Sequence, residues 1–358
     1  MQQDIMENTF LNLDINEIEQ WLREAEASHL ESLWRAADIV RKDYVGDEVH
    51  LRGLIEISSH CIRRCAYCGL RAEHRDIERY RMSLEEILTS ARQAQEYGYG
   101  TVVLQSGEDY GITRQWMEEV IHSIKAQTGL AVTLSLGERP EEDLAAWRAA
   151  GADRYLLRFE TSDRVLYDRI HPPTNRQTLS DRIALLGILK RLGYEAGSGV
   201  MVGIPGQTYA CLARDIALFR ELDLDMIGVG PFIAHPDTPL GRGELPTAPE
   251  KEQVPNTEFM TYKVLALTRL ACPEANIPST TALATLNLAQ GRELGLLRGA
   301  NVVMPNLTPV RYRALYEIYP AKACIQEDAG DCQACIKARI HSIGRIPGTG
   351  PGSRNHRH

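Results

Sequence analysis

Residues 50–70 read HLRGLIEISSHCIRRCAYCGL. The first nine residues are short, apolar and rich in β-formers, the pattern of a strand buried on both faces. Directly behind them come Cys61, Cys65 and Cys68 in a C-x3-C-x2-C array. In an α/β barrel, the loop that follows a strand's C-terminal end is where active sites are built. The pairing of strand and thiols therefore bears on fold and chemistry together.

The same rhythm continues outward. Strand-like segments recur at GTVVLQSG (100–107), GLAVTLSLG (129–137), GADRYLLRFE (151–160), EAGSGVMVG (195–203), LDMIGVGPF (224–232), ANIPSTTA (275–282) and GANVVMPN (299–306). Helical stretches lie between them. SLEEILTSARQAQEYG opens with Ser83 and Glu86 in capping-box spacing, and Thr208 is placed to cap a helix carrying Leu212, Ile216 and Phe219. About eight strand–helix units fall between residues 50 and 318. They predict an α/β fold, a complete (β/α)8 TIM-like barrel, with a doubly wound open sheet as the alternative. Residues 1–49 read as an N-terminal helical extension. Residues 319–358 read as a C-terminal extension whose Gly- and Pro-rich end, from about 341, is expected to be mobile.

The chain has 358 residues and is 44% hydrophobic, enough for a sizeable core. A net charge of −8 advertises neither nucleic acid nor an anionic membrane as partner. No apolar run approaches the ~18 residues of a membrane span. The acidic N-terminus has no leader pattern, so a cytoplasmic location is expected. Six of the eight cysteines fall into two tight triplets, while Cys211 and Cys272 stand alone. In a reducing compartment that grouping favours metal over disulfides.

Three close thiolates suit three irons of a cuboidal 4Fe–4S cluster and leave the fourth iron open to a ligand. The alternatives are a zinc site completed by His60 or His74, or a redox dithiol with a bystander. Zinc sites more often show C-x2-C twice. Cys324, Cys332 and Cys335 form a second triplet, C-x7-C-x2-C, which suits another Fe–S cluster or zinc.

The array with Tyr67 before the third cysteine is similar to the signature of the radical S-adenosylmethionine (SAM) superfamily. That resemblance implies a 4Fe–4S cluster whose open iron binds SAM and whose electron splits it to a 5′-deoxyadenosyl radical. It implies SAM-binding roles for Gln105, Ser106, Gly107 and Glu108, where a glycine-rich motif has Ser106 in place of its first glycine. It implies the same for Glu160 at the ribose, Arg182 at the carboxylate, and Met201 and the backbone around Tyr67 at the adenosyl group. Tyr316 and Tyr319 are placed to close that end.

Further strings, among them YCGLR, RYRMS, VVLQSGED, GADRYLLRFET, MVGIPGQT, GPFIAHPDTPL and NIPSTTA, resemble the family of FeFe-hydrogenase maturases in that superfamily, from about residue 10 to 340. Phe159 departs from it, where some relatives carry histidine. The resemblance implies attack on the cysteine-derived sulfur of an iron–CO–cyanide–cysteine complex. The product leads toward a dithiolate-bridged di-iron unit. Other hydrogenase maturases and an electron donor are the implied partners. The second triplet occurs in a subset of the family, away from the SAM site. For the substrate cavity, Thr133, Ser135, Arg154, Arg158, Thr280 and Thr281 lie on expected strands or at their ends. Both arginines have the alternative of pairing with acids inside the barrel. The rival readings are a methylornithine synthase, a biotin-synthase-like enzyme, or a non-catalytic Fe–S scaffold.

Overall fold

The computed structural model describes residues 11, 13–173, 180–323, 325 and 329–355. Helices α1 (Ile15–Arg23) and α2 (Ala27–Val45) come first. Asp14 starts α1 with a reciprocal capping box: Glu17 N–H donates to its carboxylate at 2.9 Å, and its own N–H donates to Glu17 at 2.8 Å. Two donors that a helix start leaves orphaned are thereby met.

The parallel strands are β1 (Glu48–Ser58), β2 (Thr101–Ser106), β3 (Ala131–Ser135), β4 (Arg154–Leu156), β5 (Glu195–Val202), β6 (Met226–Pro231) and β7 (Val302–Val303). Helices α3 (Leu84–Glu96), α4 (Arg114–Thr128), α5 (Glu141–Ala149), α6 (Arg164–Ile170), α7 (Arg182–Arg191), α8 (Tyr209–Glu221) and α9 (Glu258–Ala271) connect β1 to β6 and lead on from β6. Ser83 and Glu86 form the expected capping box on α3, and Thr208 accepts the Cys211 N–H at 3.1 Å at the start of α8. The strands are buried almost throughout, as parallel strands covered by helices must be.

The strand order is β6-β5-β4-β3-β2-β1-β7. The expectation of a complete (β/α)8 barrel is thereby corrected: the sheet is an open half-barrel of seven parallel strands, with its edges 10 Å apart. The segment expected to supply a further strand, 275–282, makes only single bridges, Met226 with Asn276 and Pro278 with Val302. Pro278 has no N–H to give a ladder. Asn301 does part of the work instead: its side-chain oxygen accepts the Ile277 N–H at 2.8 Å, and its amide donates to Asn276 at 3.0 Å.

The short helices α10 (Thr281–Leu286) and α11 (Gly291–Leu296) precede β7, and α12 (Val310–Arg313), α13 (Ala329–Ser342) and β8 (Ile346–Pro347) follow it. β8 pairs with the start of β1. The chain then crosses the end of the sheet where the strands begin. Pro351 O accepts from Thr101 Oγ1 and Arg154 Nη2, and Gly352 O accepts from Arg52 Nη2 and Asn276 Nδ2, each at 3.0 Å. Arg354 pairs with Asp223 at 2.7 Å and with Asp225 and Glu274 at 3.3 Å. The tail expected to be mobile is thus, over its described part, the floor of the half-barrel. Glycines on both sides allow this close approach: a Cβ on Gly100, just before β2, would stand 1.6 Å from Gly350 O, and one on Gly352 of the tail 2.5 Å from the His50 ring.

Gly100→Ala is accordingly expected to expel the tail. Arg52 and Arg154 would lose acceptors, at ~1–3 kcal/mol for each buried group left unpaired. Thermal melting and limited proteolysis check this. An unchanged melt with a protected tail would contradict it.

Candidate active site

The loop that leaves β1 carries the three cysteines, and its shape comes from backbone bonding. Arg79 donates to the carbonyls of Ser59, Leu70, Arg71 and His74 at 2.5–3.1 Å, gathering the loop around one guanidinium. Ala66 N–H donates to Ile170 O at 2.8 Å and Gly69 N–H to Ile318 O at 3.1 Å. The β1–β2 register is irregular between Glu56 and Ser58, a bulge of the kind found beside active sites. Cys61 Sγ accepts the N–H groups of Arg63 (3.4 Å) and Glu108 (3.3 Å).

The β2 loop meets this loop at Gly107. A Cβ there would lie 2.3 Å from His60 O and 2.7 Å from the Cys61 Cβ. Only glycine allows the contact, and the clash involves backbone that cannot rotate aside. Gly107→Ala is therefore expected to displace Cys61 and cut cluster retention, read as iron per chain and visible absorbance after reconstitution. Full iron loading in the variant would show that the loops have slack.

Cys61, Cys65 and Cys68 open into a cavity of about 250 Å³. The structure brings every residue named for SAM to its wall: Tyr67, Gln105, Ser106, Gly107, Glu108, Glu160, Arg182, Met201 and Tyr316. Glu160 sits in the left-handed region at φ 66, a conformation that costs a non-glycine residue on the order of 1 kcal/mol or more. Its N–H is held by Gly199 O at 3.0 Å, and Arg158 Nη2 lies 3.0 Å from Oε2 without hydrogen-bond alignment. Burial raises its pKa, against the pull of Arg158 and Arg182. Tyr67 hydroxyl and His171 Nε2 are hydrogen-bonded at 2.9 Å, which fixes the Tyr67 ring.

Glu138, at the end of the β3 loop, was not singled out as a site residue in the sequence. Its carboxylate takes Arg63 Nη2 at 2.7 Å, Arg182 Nε at 3.0 Å and the Ser180 hydroxyl. Arg63 also donates to Glu108 at 2.8 Å, and Arg182 to Arg158 O at 2.7 Å. Glu108 is thus spent on Arg63 and on the Glu138 N–H (2.9 Å), and burial raises its pKa despite them. The one available signal was position: Glu138 follows a strand's C-terminal end, as Glu160 does.

A second cavity of about 170 Å³ lies deeper and shares Gln105, Ser135, Arg158, Thr280 and Tyr319 with the first. Thr133 and Thr281 line it, together with Arg52, Glu56 and Lys322. Lys322 pairs with the buried Glu56. Thr133 Oγ1 is buried with no hydrogen-bond partner among the described residues. Arg154 is the exception among the expected cavity residues. It stands at the start of β4, fully buried, bound to Glu195 at 2.6 Å and to the tail. The alternative of pairing with an acid holds for it.

The donor set fits an iron–sulfur cluster better than a single ion. Among the described residues, the His/Cys/Asp/Glu trio whose ligand atoms all lie within 4.8 Å is His74, His235 and Asp237, and none of the three thiols belongs to it. Burial pushes the bare Cys61 thiol up to about 11, with Cys65 adding to it, and raises Cys65 and Cys68 as well. Metal loading has to release those protons. In the second triplet, Cys332 and Cys335 lie one turn apart on α13, the first buried and the second exposed; Cys324 lies outside the described residues. Burial raises the pKa of the Tyr99 hydroxyl, just before β2 at the end away from the cavity, with Cys332 adding to it.

Comparisons with known proteins agree with this geometry. Residues 55–231 match the Radical SAM superfamily. The [FeFe] hydrogenase maturase subunit HydE of Thermotoga maritima is 47% identical over 324 residues, 90% of this chain and 89% of that protein. The 3-methylornithine synthase of Methanosarcina acetivorans is 28% identical over 89% of this chain and 85% of its own. In fold, the crystal structure of methylornithine synthase (PylB) superposes with a TM-score of 0.80 at 24% identity, covering 96% of this chain and 97% of that one. The chain belongs to the radical SAM superfamily and, within it, to the family of the hydrogenase maturase subunit HydE.

Proposed function

We propose that this chain catalyses a radical SAM step of FeFe-hydrogenase maturation, at the cysteine-derived sulfur of an iron–CO–cyanide–cysteine complex on the way to the dithiolate-bridged di-iron subcluster. The observation that carries this is the joined pair of cavities. One is walled by the cysteines and the Glu160–Arg182 end, the other by Arg52, Arg158 and the Lys322–Glu56 pair, a net excess of positive charge. A cyanide- and carboxylate-bearing complex needs such cationic walls, and the polar hydroxyls of Thr133, Ser135, Thr280 and Thr281 suit its remaining ligands.

Cys61, Cys65 and Cys68 would hold the catalytic 4Fe–4S cluster. With SAM bound, that cluster supplies one electron and hence a 5′-deoxyadenosyl radical. The chain's own residues do the rest. Arg182, aimed by Glu138, offers a fork for the SAM carboxylate, and Glu160 offers an acceptor for ribose hydroxyls. Met201, Tyr316 and the pinned Tyr67 ring exclude water. Cys324, Cys332 and Cys335 would hold a second cluster outside this path. We place the division at 1–49, 50–318 and 319–358, and the working environment in the cytoplasm beside an electron donor and the other maturases. Among the described residues no helix is long and apolar enough to cross a membrane.

The test is anaerobic reconstitution with dithionite, SAM and the iron complex. Formation of 5′-deoxyadenosine coupled to loss of the complex is expected. Full iron loading with no 5′-deoxyadenosine would favour a scaffold. Turnover of an amino acid to 3-methylornithine would favour the reading suggested by the second relative.

A further inference from the structure

A second set of ligating side chains lies outside the cavity pair. His74 comes from the cysteine loop, and His235 and Asp237 come from FIAHPD, the loop behind β6. Together with Glu78, Leu315 and Glu317 they line a separate surface cavity of about 320 Å³.

The imidazoles are oriented by their far nitrogens. His74 Nδ1 lies 2.8 Å from Gly69 O, which places its proton there and leaves the lone pair on Nε2. His235 Nε2 lies 3.3 Å from the Glu317 carboxylate. The Asp237 N–H donates to His235 Nδ1 at 3.1 Å, which places the ring proton on Nε2; an ion at Nδ1 would displace that N–H. Both nitrogens lie near one oxygen: His74 Nε2 is 3.8 Å and His235 Nδ1 3.9 Å from Asp237 Oδ2. A tetrahedral ion with bonds of ~2.0–2.1 Å brings its ligands ~3.4 Å apart; the two pairs with Asp237 need close by about half an ångström, and the three ligand atoms together lie within 4.8 Å of one another. Asp237, the exposed member, is free to make that movement. Histidines whose other nitrogen donates to a carboxylate or a backbone carbonyl are the usual form of protein metal ligands.

We propose that His74, His235 and Asp237 bind one borderline divalent cation, zinc or ferrous iron, with water in the fourth position and Glu317 orienting His235. Two imidazoles and a carboxylate suit both ions. The ion would join the cysteine loop to the β6 loop. Gly69, next to Cys68, already lies so close that a Cβ on it would stand 2.6 Å from the His235 ring.

The test titrates Zn²⁺, and separately Fe²⁺, into the full, cluster-loaded chain against a chelating dye under anaerobic conditions. One equivalent is expected in the wild type. His74→Ala and Asp237→Ala are expected to lose it or weaken it ~100-fold, and Glu317→Gln to weaken it ~10-fold, the range for outer partners of a metal ligand. His235 is left intact because it is buried in the fold. Unchanged cluster absorbance in the variants shows that the loop is in place. Uptake equal to wild type in both His74→Ala and Asp237→Ala, or none in the wild type, overturns the proposal.

Discussion

Cys65→Ser is expected to reduce 5′-deoxyadenosine formation by at least about 10³-fold, ~4 kcal/mol of barrier, whereas Cys332→Ser leaves it within about twofold. Each of Cys61, Cys65 and Cys68 would hold one iron, and the thiols already face the cavity, so no spare donor stands by. A serine hydroxyl is a harder, weaker ligand for iron than a thiolate. Cys65 is also buried, so its replacement cannot be relieved by solvent. Cys332 sits on α13 near Tyr99, at the far end of β2. Its loss removes a second-cluster ligand and touches nothing in the SAM cavity. Anaerobic assays with chemically supplied electrons compare the two variants, with iron content measured alongside. Equal losses would end the proposed division of labour between the triplets.

The second large effect is expected from Glu138→Ala. One carboxylate holds Arg63 and Arg182 together against repulsion in a buried setting. Removing one partner of a buried ion pair destabilises by ~3–5 kcal/mol, because a charge stays behind without compensation. Arg63 keeps Glu108, so Arg182 bears most of the loss and swings out of register with the cavity. The melt should fall and SAM affinity should weaken together. Glu138→Gln, which keeps shape and hydrogen bonding, should recover part of the binding. A variant that melts lower while binding SAM as tightly as wild type would confine Glu138 to stability and remove it from the positioning of Arg182.

The sequence carried the site further than the architecture. Residues at the ends of strands β1, β2, β4 and β5 were legible because strand, glycine and charge occur there in fixed order. Glu138 escaped since a lone acid after a strand has no local pattern; only its two distant arginines reveal it. The full barrel was inferred from apolar segments of similar look. ANIPSTTA has the composition of a strand, yet it makes only single bridges to β6 and β7, Pro278 has no N–H to give, and the sheet stays open. Arg154 was misplaced by a geometric ambiguity. A strand's residues look alike in sequence at its beginning and its end, and Arg154 stands at the beginning, beneath the cavity. The tail was misread because glycine and proline signal freedom only when nothing packs on them.

That tail also sets an order of events in the making of the molecule. Arg52 and Arg154 belong to strands synthesised early, yet their carbonyl acceptors are made 300 residues later for Arg52 and 197 later for Arg154. During all of that interval a nascent chain carries two buried-to-be guanidiniums without these carbonyl acceptors, Arg154 having only Thr101 and Glu195, at an unfinished end of the sheet. The floor of the half-barrel is therefore closed by a late-made segment, and co-translational folding can complete it only after residue 354 has emerged.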